Sequence, residues 1–292
     1  MAVYPIVLSQ KSFAHKDKLT YPFEERGLQF GDGVYEVIRI YNGKTHLLQE
    51  HVERLFTSAE AIKLSLDYSL EEMISLLEKL ITENNMTVDG KIYLQASRGS
   101  VTRDHVFPEE SVEPNFYAYI EDLPRNLKYL QKGVSVITTE DIRWDLCYIK
   151  SLNLLPNVLA KQAAKEQGCF EAILHKDRRV TEASSSNVFL IRDGSIYTHP
   201  ATNGILRGCV RMKVFEIAKK LNIPIVEEAF SLDDIPSADE MFLTSTTAEV
   251  MPIVKVDEGQ VKDGKPGPIT RQLQAAYEED AHITINKIAE TV

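Results

Sequence analysis

Six polar segments stand out in this sequence because their residue types can move protons, bond to carbonyl carbon or hold anions. They are Gly31–Glu36, Arg98–His105, Ile149–Leu155, Thr181–Asn187, Ile205–Gly208 and Thr244–Glu249. Lys150 and Glu182 supply an amine and a carboxylate, the raw material of nucleophilic and acid–base chemistry. Arg103 and His105 are two apart on a loop, so Asp104 between them can point away while both donors face inward. An arginine in that setting holds a carboxylate through two parallel hydrogen bonds. The turn Leu206-Arg-Gly208 opens a helix near Cys209, so the backbone N–H groups of Cys209 and Val210 can point at an anion. Each segment also has an ordinary reading. Lys150 is by default a solvated surface lysine. Thr181–Asn187 has the composition of a polar turn, Arg54 that of a helix-surface arginine paired with a nearby glutamate, and Arg103–His105 that of a solvated loop. No P-loop, dinucleotide-binding glycine fingerprint, G-x-S-x-G elbow or H-E-x-x-H helix is present.

The elements that must carry these residues fall into two halves. Tyr35–Tyr41 alternates and is β-branched, and Asn42-Gly43 after it predicts a hairpin turn. Val52, Leu55, Phe56, Ala59 and Ile62 recur at helical spacing. Ser69-x-x-Glu72 reads as a capping box for a helix burying Leu70, Met73, Leu77, Leu80 and Ile81. Lys91–Ala96 and Phe116–Ile120 read as strands, and Glu121–Asn126, polar and containing Pro124, as a linker. Beyond it come short strands at Val134–Thr138, Glu171–His175, Asn187–Ile191, Ser195–Thr198 and Glu240–Ser245, with an Asp193-Gly194 turn. Helices are expected at Pro156–Gln167, closed by Gly168, and at Cys209–Leu221, stopped before Pro224. The expectation is α+β: an N-terminal domain over 1–120, a linker over 121–126, and a C-terminal domain over 127–292 with a cleft between the domains.

The bulk properties narrow the setting. With 292 residues, 43% hydrophobic and 26% charged, the chain has ordinary globular composition and room for two modest cores. The net charge of -10 disfavours a general nucleic-acid or anionic-membrane surface. No apolar stretch is long enough to span a bilayer, and Met1–Pro5 shows no secretion signal. Cys147, Cys169 and Cys209 are odd in number, widely spaced and without a C-x-x-C pair, which argues against disulfides and a zinc site and suits a reducing cytoplasm. No metal is expected. An anionic substrate in so acidic a molecule would need a local cluster of cations.

Taken together and in order, the six segments resemble the branched-chain/D-amino-acid aminotransferase family, fold type IV of the pyridoxal-phosphate enzymes, from roughly Glu25 to Gln274. The resemblance implies a two-domain fold with a smaller N-terminal α/β domain and a larger, pseudo-barrel-like cofactor-binding domain. It implies pyridoxal 5'-phosphate as cofactor, with Lys150 at the position that bonds it and then moves the α-proton of substrate. Glu182 matches the carboxylate that keeps the ring nitrogen protonated, with Ser185 and Asn187 shaping the pocket. Arg54, Leu206, Cys209, Val210 and Thr246 match the phosphate cup. Tyr35, Arg103 and His105 match the trap for the substrate carboxylate.

The Arg103-x-His105 pair tilts the expected reaction toward moving the amino group of D-amino acids, of the D-alanine, D-glutamate or D-aspartate type, to 2-oxoglutarate or pyruvate. A branched-chain L-aminotransferase, an R-selective amine transaminase and an aminodeoxychorismate lyase are the same-fold alternatives. A non-catalytic acidic binder is the alternative of another class. The resemblance further implies a homodimer whose shared site takes Arg103 and His105 from the second chain. Two positions depart from the family pattern, which often has Gly where Ala183 stands and Thr where Val210 stands.

Overall fold

The computed structural model describes residues 3–108 and 112–288; Met1 and Ala2, the start of the segment that shows no secretion signal, lie outside them. The chain forms two compact units. The first takes the chain up to Pro124 together with Ile149–Leu154, and the second takes the remainder. Ile149–Leu154, expected within the C-terminal domain, is thus part of the first unit, and Glu121–Asp122, expected in the linker, ends a strand.

In the first unit β1 (Ile6–Ser9), β2 (Ser12–His15), β3 (Gly33–Tyr41), β4 (Lys44–His46), β5 (Gly90–Ser97) and β6 (Asn115–Asp122) form one sheet in the order β2-β1-β6-β5-β3-β4. Every pairing in it is antiparallel. Asn42 and Gly43 both have positive φ, the backbone that a two-residue turn from β3 to β4 requires. A short helix α1 (Arg26–Phe30) precedes β3, and α2 (Leu48–Ala61) and α3 (Leu70–Glu83) cover one face of the sheet. Ser69 caps α3 by accepting from Glu72 N at 3.1 Å, while its own hydroxyl turns to Glu71. The core joins Ile38, Ile92, Leu94, Phe116 and Ile120 of the sheet to Val52, Leu55, Met73, Leu77 and Leu80 of the helices. Burying each large apolar side chain in this way contributes about 1.5–3 kcal/mol.

In the second unit α4 (Leu127–Lys132) leads into β7 (Val134–Glu140), followed by α5 (Leu155–Glu166), β8 (Glu171–Lys176), β9 (Arg179–Ala183), β10 (Asn187–Arg192) and β11 (Ser195–Thr198). Then come α6 (Cys209–Lys220), β12 (Ile225–Glu227), β13 (Glu240–Ser245), β14 (Glu249–Val256), β15 (Gly259–Gln260) and α7 (Pro268–Asp280). The sheet runs β12-β11-β10-β13-β14-β7-β8-β9, with β15 beside β14. Strand β9, last in that order, comes back against β10, so the sheet curls into the half-barrel expected of the larger domain. Its inner face is why β8, β9 and β10 are buried along almost their whole length, with Phe189 and Phe242 stacked 4.5 Å apart between β10 and β13. Thr181 and Glu182 lie within β9 rather than in a polar turn; the strand is read only weakly from sequence because both its faces are covered. Among the described residues, no helix is long and apolar enough to cross a membrane, and no cluster of His, Cys, Asp and Glu is arranged to hold a metal ion.

Candidate active site

The lysine segment is held as a short added strand. Strand β4 pairs β3 only over Arg39–Tyr41, which leaves the start of that edge of β3 open. Ile149–Leu154 occupies it: Tyr35 N donates to Lys150 O at 3.0 Å, Leu152 N to Gly33 O at 3.0 Å, and Val34 bridges Ser151. Lys150 N donates to Ser58 Oγ on α2 at 3.2 Å. The approach is close enough that a Cβ at Gly33 would sit 2.8 Å from Leu152 Cδ1 and 2.5 Å from Ala96 O. The half-buried Lys150 lays its Nζ 4.3 Å from the Tyr35 ring centroid, so these two predicted site residues meet.

Arg54 does not stand alone on the helix surface. Its Nε and Nη2 donate to Glu36 Oε1 and Oε2 at 2.6 and 2.9 Å, and His51 Nδ1 lies 2.8 Å from Oε2. Glu36 is fully buried on the core face of β3, between Val34 and Ile38. Burial alone would raise its pKa, but the charges of Arg54 and His51 outweigh burial and hold the carboxyl well below the usual range. The sequence motifs mark neither Glu36 nor His51 as a site residue. The signal was there: a charged residue at an inward position of an alternating strand needs a buried partner.

Arg103 and His105 are both exposed, and both lie against Phe30, with the guanidinium 4.7 Å and the imidazole 5.5 Å from its ring centroid. Their loop is tied down from within the unit. Arg26 Nη1 donates to Asp104 O at 2.7 Å, and Asp32 receives both Arg26 Nε and Arg98 Nε at 2.8 Å. Arg98 also donates to the carbonyls of Ile62 and Lys63, and Phe107 stacks on it 3.7 Å away. With its donors committed and its side chain only 9% exposed, Arg98 supports the loop.

In the second unit Glu182 is the centre. Its Oε1 accepts from Arg143 Nη1 at 2.5 Å; its Oε2 accepts from Asn187 Nδ2 at 2.9 Å and Leu206 N at 3.1 Å. Burial pushes the carboxyl up to about 7, against the pull of Arg143 and the Leu206 N–H. Asn187 Nδ2 also donates to Leu206 O at 2.8 Å. A Cβ at Gly208 would collide with Asn187 Oδ1, so glycine is needed where the chain enters α6. No side chain caps α6, and the N–H groups of Cys209 and Val210 open its first turn toward any anion placed there. The Ser185 hydroxyl donates to Glu171 at 2.7 Å, and Ser184 and Ser186 bond the same buried carboxylate. Glu171 was missed, since in sequence it opens an otherwise apolar strand. Thr246 sits in the turn between β13 and β14, and the hydroxyl of Thr244, two residues earlier on β13, is buried with no hydrogen-bond partner among the described residues.

The family model of class IV amino-transferases matches residues 33–256, and this chain belongs to that family. It is 49% identical over 267 residues to a D-alanine aminotransferase of Staphylococcus aureus (strain COL), covering 91% of this chain and 94% of that one. It is 48% identical over 276 residues to a D-alanine aminotransferase of Listeria monocytogenes serovar 1/2a (strain EGD-e), covering 94% and 95%. Among solved structures, a T.th. branched-chain amino acid aminotransferase with pyridoxamine 5'-phosphate matches with a TM-score of 0.89 at 25% identity, covering 98% of this chain and 97% of that one. The branched-chain enzyme of Escherichia coli matches at 0.87 and 24%, covering 97% of each chain, and so shares the fold.

Proposed function

We infer that this chain is a pyridoxal-phosphate-dependent aminotransferase that takes the amino group from D-amino acids, D-alanine among them, and gives it to 2-oxo acids. The observation that carries the reading is 49% identity to a D-alanine aminotransferase over 91% of the chain. The residues fit the cofactor on their own chemistry. Around Glu182 one guanidinium serves two carboxylates, Glu182 and Asp141, and burial leaves Glu182 short of a cation. A protonated ring nitrogen is a cation of the right kind, and the uncapped start of α6 is an anion site of the right kind for a phosphate.

When bound, pyridoxal phosphate supplies an aldehyde that an amine can bond and a ring that takes up electron density. Lys150 supplies the amine and then carries a proton to and from the substrate α-carbon, held in place by its backbone bonds to β3. Glu182 holds a negative charge toward the ring nitrogen, and Asn187 and the Leu206 N–H hold Glu182. Arg54, oriented by Glu36, contributes a fixed positive charge for the phosphate, with the Thr246 hydroxyl, the backbone of Leu206 and the N–H groups of Cys209 and Val210. Ser185 supports the pocket wall through Glu171. Tyr35, Arg103 and His105 receive the substrate carboxylate.

We further infer a cytoplasmic homodimer in which Arg103 and His105 serve the partner's site; both are exposed on the chain that carries them. A transaminase assay with paired D- and L-donors, using pyruvate or 2-oxoglutarate as acceptor, tests the reading. Faster turnover of L-leucine than of any D-donor would replace it with the branched-chain reaction.

A further inference from the structure

Arg143 lies in the irregular stretch between β7 and the lysine segment, with no sequence motif to mark it. Its side chain is only 7% exposed, and that of Asp141, two residues before it, 1%. Arg143 Nε and Nη2 donate to Asp141 Oδ1 and Oδ2 at 2.9 and 2.8 Å, and its backbone N to Oδ1 at 3.1 Å. Asp141 is itself fixed by Thr181 Oγ1 at 2.7 Å and by its own N–H to His175 O at 2.8 Å. That clamp leaves Nη1 of the planar fork aimed at Glu182 Oε1. Thr181 and Glu182 are neighbours on β9, so Asp141 and Glu182 are braced by one strand and joined by one guanidinium.

We propose that Arg143 is a positioning residue for transamination: locked by Asp141, it fixes Glu182 as an oriented carboxylate for the cofactor's ring nitrogen. This rests on the reading of Glu182 given above. Without Arg143, Glu182 Oε1 loses its charged donor and keeps the Leu206 N–H at 3.3 Å, and the buried pair of acids loses the guanidinium they share. The carboxyl then holds its proton to higher pH, and a protonated acid cannot balance a protonated ring nitrogen. Burial has already raised Glu182 to about 7, so little further displacement is needed to discharge it at neutral pH.

The test pairs two readouts on Arg143→Met, Glu182→Gln and the double variant. In protein stripped of cofactor, shown folded by circular dichroism, the infrared carboxyl band absent from Glu182→Gln is titrated with pH. Its midpoint should rise by about one pH unit or more in Arg143→Met, a tenfold change in proton affinity. In the holoenzyme, Arg143→Met should slow the half-reaction with a D-donor at least about tenfold, yet add little on the Glu182→Gln background. Arg143→Lys keeps the charge without the fork and should slow the half-reaction while the midpoint stays near that of wild type. It carries the same cycle if the methionine variant does not fold. An unchanged carboxyl midpoint in Arg143→Met, or rate losses that multiply independently in the cycle, overturns the proposal. If Glu182→Gln alone leaves the half-reaction unchanged while the midpoint still shifts, the proposal falls through Glu182, and the coupling to Arg143 remains.

Discussion

Lys150 and Tyr35 are bound twice over: Tyr35 N donates to Lys150 O at 3.0 Å, and Lys150 Nζ rests 4.3 Å from the Tyr35 ring. The amine is therefore placed by main-chain bonds, and losing it should remove chemistry without removing the fold. Lys150→Ala should abolish the borohydride-reducible cofactor link and nearly all transamination while the far-ultraviolet circular dichroism stays native. A reduced adduct at native stoichiometry in that variant would assign the link to another lysine.

The same docking depends on Gly33. Gly33→Ala places a methyl 2.5 Å from Ala96 O and 2.8 Å from Leu152 Cδ1, and the first of these is backbone that cannot swing aside. The expected result is a loss of about 1–3 kcal/mol in chemical denaturation and a much slower half-reaction. Native stability and rate together would show that the lysine segment is not held as described.

Glu36 should behave as a buried anion on which other groups depend. Its carboxyl pKa is depressed, so its contribution to stability is fully present above the unfolded pKa and is lost as pH falls through that of the folded protein. Glu36→Gln removes the buried carboxylate that Arg54 and His51 share and should destabilise by about 3–5 kcal/mol at neutral pH. Denaturation followed from pH 7 downward should show the gap to wild type narrowing in acid. A constant gap would sink the idea.

Glu182 has the opposite sign. Its folded pKa is raised from 4.5 to about 7, so the folded protein binds the proton more tightly than the unfolded chain does. Stability of the cofactor-free protein should therefore fall as pH rises across that window, by a few kcal/mol at about 1.4 kcal/mol per pH unit. Glu182→Gln should lack this slope. Parallel pH profiles for the two proteins would mean that Glu182 is already ionised when the site is empty.

If Arg103 serves the partner's site, mixing two dead variants should restore activity. A heterodimer of Lys150→Ala and Arg103→Ala then has one intact site and one doubly defective site. Random re-assortment gives roughly a quarter of wild-type activity. Heterodimers that form and stay inactive would place Arg103 in its own chain's site.

What sequence disclosed followed the range of the interactions. The alternation of Tyr35–Tyr41, the Asn42-Gly43 turn and the Ser69 cap act over a few residues, and the structure contains each. The resemblance located Lys150 and Glu182, but not what holds them. Glu36 meets Arg54 across 18 residues, and Arg143 meets Glu182 across 39. The inward place of Glu36 in an alternating strand signals that a buried partner exists without naming it, and Arg143, on a loop, looks the same whether it faces water or a buried acid. The same holds for Ser185, whose partner Glu171 lies 14 residues away on β8.

The docking of Ile149–Leu154 on β3 also has a consequence for the order in which the molecule is made. Synthesis runs from the N-terminus, so residues through Pro124 emerge with the start of one β3 edge still bare. That edge is closed only after Leu154 has followed, and until then it offers unpaired backbone to any passing strand. The amine needed for chemistry thus arrives with the segment that seals the sheet. A nascent chain halted just before Ile149 lacks its amine and leaves that edge adhesive, and the next six residues supply the one and cover the other.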